Sequence, residues 1–127
     1  MKENRKRFKR LTTVILVGVT VIGSSIFPYA VLAEEEDLYT IILKDHCFSP
    51  AELTIPASKK VKVLVQNQDS TPEEFESYDL IREKIVTGNG KATLYIGPLK
   101  PGRYHYFGEF HRDTARGVII VASKKEK

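Results

Sequence analysis

Sulfur and indole are almost missing from this chain: it has one Cys, one Met and no Trp in 127 residues. A single thiol closes no internal disulfide, so the fold must stand on its core alone. Free Cys is among the most often buried residue types, and Cys47 is therefore read as a buried, inert side chain. Histidine is scarce too, at three residues. One Cys and three His supply no recognisable nucleophile–base pair for hydrolysis. Helix-forming periodicity over ten residues is absent as well. ESYDLIREKIV (76–86) is the one segment that could make a turn or two of helix. The Gly-containing clusters TGNG and GPLKPG are not followed by a helix start, so they read as hairpin turns rather than phosphate cradles.

Charge of one sign is also lacking once the first residues are set aside. MKENRKRFKR holds six Lys/Arg, an apolar run LTTVILVGVTVIGSSIF follows, and VLA (31–33) precedes EEED. Basic, apolar and small-residue regions in that order predict a secretory signal peptide over residues 1–33 and an extracytoplasmic location, periplasmic or secreted. The alternative is an uncleaved anchor, since residues 11–33 are long enough to span a bilayer. The formal charge of +4 then belongs to the leader, because residues 34–127 carry 14 Lys/Arg against 15 Asp/Glu. A net charge of −1 without a basic stripe gives no support to nucleic-acid binding. The remaining 94 residues suffice for one domain.

What is present is β-structure. LYTIILKD (38–45), AELTIPA (51–57), KKVKVLVQN (59–67), KATLYIG (91–97), GRYHYFGEF (102–110) and RGVIIVA (116–122) alternate with period two and favour β-branched and aromatic residues. EEFESYDL (73–80) and EKIVT (83–87) are weaker strand candidates. Turn-rich NQDSTP, TGNG, GPLKPG and HRDTA punctuate them. Seven or eight short strands at this spacing predict an all-β sandwich or barrel. Tyr104 and Tyr106 share one strand face and read as core. His105 is on the other face and reads as surface. Gly108 in that strand marks a bend or a close approach.

The order FSPAELTIPA, VLVQNQDSTPEEF, GPLKPGRYHYF, GVIIV resembles the cupredoxin family over residues 38–122. The resemblance rests on the F-x-P-x-x-L-x-I-P, V-x-N-x-D and P-L-x-P-G-x-Y patterns, and it implies a Greek-key β-sandwich of 7–8 strands. It also implies four positions for copper ligands. Glu73 stands where the first His is expected, Gly108 where the Cys is expected, and Ala115 and Arg116 where the Met is expected. His111 alone matches. Blue copper depends on a thiolate with two imidazoles and a weak axial ligand, so that chemistry is not expected.

The exchanges replace soft sulfur by oxygen and imidazole. Glu73, Glu74, Glu76, Glu109 and His111, with His46 from KDHCF, are the candidate metal ligands, and Glu83 ranks behind them. Such donors suit iron, Cu(II), manganese or zinc. The alternative for the Glu run is a solvated acidic loop, as most charge runs are. Strand parity divides it, because Glu73 points with Phe75 while Glu74 and Glu76 point the other way. EEFESYDLIREK with PLKPGRYHYFGEFH further resembles cupredoxin-like proteins that act beside high-affinity iron permeases. That implies a metal-binding accessory in envelope iron uptake, with iron or copper as the metal and an iron permease as partner. Three functional classes remain open: an oxidase-like assistant of iron uptake, a metal carrier without turnover, and a structural sandwich that docks a membrane partner without metal.

Overall fold

The computed structural model describes residues 36–123, so the segment read as a signal peptide lies outside the described residues. Among the described residues nine strands form two sheets. They are β1 (Leu38–Lys44), β2 (Cys47–Ser49), β3 (Glu52–Pro56), β4 (Val61–Asn67) and β5 (Glu73–Ser77), followed by β6 (Arg82–Val86), β7 (Lys91–Ile96), β8 (Gly102–Gly108) and β9 (Arg116–Ala122). A single 3-10 turn, Glu109–His111, follows β8. One sheet runs β2-β1-β4-β7 and the other β3-β9-β8-β5-β6. Two parallel pairs, β1 with β4 and β3 with β9, interrupt an otherwise antiparallel arrangement. This is the all-β sandwich that the alternation predicts, with 76–86 folded as strand–turn–strand and not as helix.

Period-two patterning explains the core. Val61, Val63 and Val65 in β4 are buried, while Lys62 and Leu64 lie half-buried on the opposite face. Ile41 and Leu43 beside them face Ile55, Phe75, Tyr106, Ile119 and Val121 from the other sheet. Phe48, Phe75 and Tyr106 make an aromatic cluster, with Phe75 stacked on Tyr106 at 4.9 Å between centroids. Tyr106 passes over Gly117, where a Cβ would meet its ring at 2.2 Å, so that position has to be glycine. Tyr104 is half-buried against the core, and its hydroxyl donates to the Lys100 carbonyl, 2.8 Å away.

Three expectations need correction. TGNG joins β6 to β7 and GPLKPG joins β7 to β8, and each pair lies in different sheets, so both clusters are crossings and not hairpin turns. The F-x-P segment adds a short strand, β2, which the alternation was too brief to reveal. Cys47 is exposed. β2 is a sheet edge in which Phe48 turns inward, and parity therefore puts Cys47 outward.

Candidate metal centre

The chain brings three separate segments to one place. The first is the two-residue link between β1 and β2. Asp45 and His46 both have positive φ, 50° and 57°, as the two central residues of a tight primed hairpin turn require. Asp and His tolerate this left-handed region better than most side chains. The turn is tied from outside: the Asp69 carboxylate accepts from the backbone N–H of Asp45 at 2.7 Å and of His46 at 3.0 Å.

The second segment holds Asp69 in place and leads to Glu73. Buried Asn67 ends β4, and its amide donates to the carbonyls of Thr71 (2.8 Å) and Val86 (3.2 Å). Its side-chain oxygen accepts from the Asp69 N–H at 2.9 Å. The hydrogen bond from the His46 amide is the largest cause holding the Asp69 carboxyl below the ordinary carboxylate range. The Asp45 amide and the nearby His46 and His111 act in the same direction, against partial burial. His46 Nδ1 lies 3.4 Å from Asp69 Oδ2.

The third segment is the 3-10 turn carrying His111. Its Nδ1 is 2.6 Å from Oε2 of Glu73, whose side chain is only 2% exposed. The other Glu73 oxygen accepts from the backbone N–H of Glu74 (3.0 Å) and of Phe110 (2.8 Å). A buried carboxylate is tolerated only when its lone pairs are met in this way. The His46 ring stacks on His111 at 3.5 Å between centroids, with an 11° angle between planes. One donor atom from each of His46, Glu73 and His111 therefore lies within 4.8 Å of the other two.

Gly108 explains why a carboxylate can sit there. Its backbone is ordinary extended chain, φ −88° and ψ 118°, so the glycine answers a need for space and not for a special turn. A Cβ at 108 would come within 2.6 Å of Glu73 Cδ and 2.7 Å of the Ala115 Cβ. A thiolate at 108 and the Glu73 carboxylate thus exclude one another. The soft-sulfur donor set of blue copper does not fit these residues. Two imidazoles and one carboxylate do fit the borderline and hard ions that take nitrogen and oxygen together.

The other candidates are elsewhere. Glu74 and Glu76 project from the opposite face of β5 and gather with Glu83 of β6, directly across from Glu76. Partial desolvation raises the Glu74 carboxyl above its ordinary range, as do a hydrogen bond with Glu83 and the charges of Glu83, Glu76 and Glu109. Glu109 is clamped by Arg112, whose guanidinium meets both carboxylate oxygens at 2.5 Å. The structure thus unites His46, Glu73 and His111 and leaves Glu74, Glu76 and Glu109 outside. Asp69 and Asn67 escaped the sequence reading as parts of the site. The V-x-N-x-D pattern was the available signal, since both residues belong to it.

The family model described as "Cupredoxin-like domain" matches residues 13–121, beginning inside the segment read as a leader. An uncharacterized protein of Rickettsia prowazekii (strain Madrid E) is 51% identical over 81 residues, 64% of this chain and 65% of that protein's length. Among solved structures, the novel purple cupredoxin of Nitrosopumilus maritimus is 21% identical with a TM-score of 0.53, covering 66% of this chain and 99% of that one. Auracyanin A, a "blue" copper protein of Chloroflexus aurantiacus, is 15% identical with a TM-score of 0.58, covering 67% and 98%. At these identities the structural likeness speaks for the fold. Together with the nine-strand sandwich, the family match over most of the sequence leads to one conclusion: this chain belongs to the cupredoxin-like domain family.

Proposed function

We propose that this protein is an extracytoplasmic metal-binding cupredoxin-like protein whose ion is held by His46, Glu73 and His111. The observation that carries the reading is the meeting of two imidazoles and a buried carboxylate, donor atoms within 4.8 Å, where three distant segments converge. Glu73 would contribute charge from a fixed position, because two backbone amides hold one oxygen and leave the other turned toward His111. His46 would be oriented by Asp69, a carboxylate–imidazole pairing of the kind that supports ligating histidines. A bound ion would supply Lewis acidity or one-electron chemistry. Two imidazoles and one carboxylate form a donor set that non-haem Fe(II) uses, as well as one open to Cu(II) and Zn(II). This agrees with the finer reading of an accessory to envelope iron uptake beside an iron permease, which rests on the sequence resemblance.

Isothermal titration of the full-length protein with Cu(II), Fe(II), Fe(III) and Zn(II) tests the proposal. We expect one ion per chain at about micromolar Kd or tighter, weakened at least about a hundredfold by His111→Ala. Failure of all four ions to bind more tightly than about millimolar overturns it. One observation favours a structural reading instead: both Glu73 oxygens already have protein partners. On that reading His111→Ala lowers thermal stability and leaves metal titrations unchanged.

A further inference from the structure

Outside the three-segment site, the outer face of the five-stranded sheet carries a cleft of about 330 Å³ that the metal reading does not use. His105 and Phe107 alternate onto the same face of β8, and Arg116 of β9 pairs in register with Phe107. The Tyr78 ring meets Phe107 edge-on at 5.3 Å and forms an apolar wall. The Arg112 guanidinium lies over the Phe107 ring at 4.9 Å. The hairpin bearing Tyr78 is anchored: Ser77 Oγ donates to the His105 carbonyl at 2.7 Å, and Asp79 accepts from the His105 N–H at 2.7 Å. The wall is therefore set before any ligand arrives.

The charges here are unbalanced. Arg112 has its carboxylate, Glu109. Arg116 donates through Nε to the Arg112 carbonyl at 2.6 Å, and no carboxylate among the described residues pairs with it. Oδ2 of Asp79, the residue after Tyr78, accepts from the His105 backbone amide. A planar guanidinium fork suits a carboxylate, and aromatic side chains suit a flat apolar body. Pockets that bind small molecules combine such walls with a few placed polar groups.

We propose that this cleft binds a small carboxylate with a planar apolar body, its anion on Arg116 and its ring against Phe107 and Tyr78. The site is independent of the metal centre and does not depend on a bound ion.

NMR titration of the isotopically labelled full-length protein with phenylacetate tests it, with phenylacetamide and acetate as comparison probes. We expect a Kd of about 1 mM for phenylacetate, in keeping with a ligand of this size, with shifts centred on the Arg116 guanidinium, Phe107 and Tyr78. The amide and acetate should bind about tenfold or more weakly. Arg116→Gln and Tyr78→Ala should each weaken phenylacetate about fivefold or more while the shifts of the core strands stay in place. Arg116→Lys retains the charge, guarding against a disturbed 112–116 loop, and should still lose affinity because the fork is gone. Absence of binding up to about 50 mM, equal binding of the amide or of acetate, or unchanged affinity in both Arg116→Gln and Tyr78→Ala overturns the proposal.

Discussion

Glu73 and Glu74 are neighbours in sequence with identical side chains and opposite fates. Glu73 points inward with Phe75 and Ser77, is buried, and meets two backbone amides and an imidazole. Glu74 points outward into a group of like charges, where its carboxyl resists ionisation. Strand parity alone separates them. Adding carboxylates near one end of a sandwich does not make a ligand set. Position relative to the pleat decides which oxygen is fixed and which is merely repelled.

The sharpest way to break this contrast is to exchange the two carboxylates for amides one at a time. Glu73→Gln should weaken metal affinity about a hundredfold or more in isothermal titration, and Glu74→Gln should change it less than about twofold. Equal losses would erase the distinction between the inward and outward faces. A second test refills the space that Gly108 leaves. Gly108→Ala should destabilise the protein by about 2–3 kcal/mol in denaturant unfolding, because the new methyl meets Ala115 and a carboxylate that is pinned rather than free to swing away. Wild-type stability in that variant would mean that Glu73 has room to move.

Smaller effects distinguish the supports of the two regions. Asp69→Asn should cost about 1 kcal/mol, through weaker acceptance from the Asp45 and His46 amides. Because the folded state depresses the Asp69 carboxyl, its stabilisation is complete above the ordinary carboxylate range. It is lost as the pH falls through the lower folded value, so the wild-type advantage over the variant should vanish at the acid end of an unfolding series. Glu74 has the opposite sign: its raised value means that the ionised form is disfavoured in the folded state, a burden that eases on acidification. Glu83→Lys should therefore raise Tm at neutral pH by about 1–3 °C and lose that gain in acid. No gain at neutral pH would show that solvent already screens the cluster.

Much of the sandwich was legible because buried strands must alternate. Val61, Val63 and Val65 announced an inward face, and EEFES announced two faces of unlike chemistry. The missing parts were local geometry of low sequence contrast. β2 has three residues, too few for alternation to register, and Cys47 was misplaced with it. The TGNG and GPLKPG clusters carry the right residues for turning. Whether a turn returns to its own sheet or crosses to the other depends on partners far along the chain.

The candidate site divides in the same way. His111 and Glu73 could be selected from the residue order, and parity kept Glu73 apart from Glu74 and Glu76. The stack of His46 on His111 could not be read, because their positions are set by a turn with two left-handed residues and by an acceptor, Asp69, in a segment distant from both.

By itself, then, the sequence determined the layered β-architecture and the opposite facing of Glu73 and Glu74, since both follow from residue type and period along a strand, while the missing thiolate at 108 was read from the cupredoxin resemblance. Only the tertiary structure decided that His46 joins the site, that Glu109 is claimed by Arg112, and that Arg116 lines a cleft with no paired carboxylate among the described residues. Those outcomes depend on the approach of segments separated by tens of residues, and side-chain contacts of a few ångströms are fixed by packing, not by pattern.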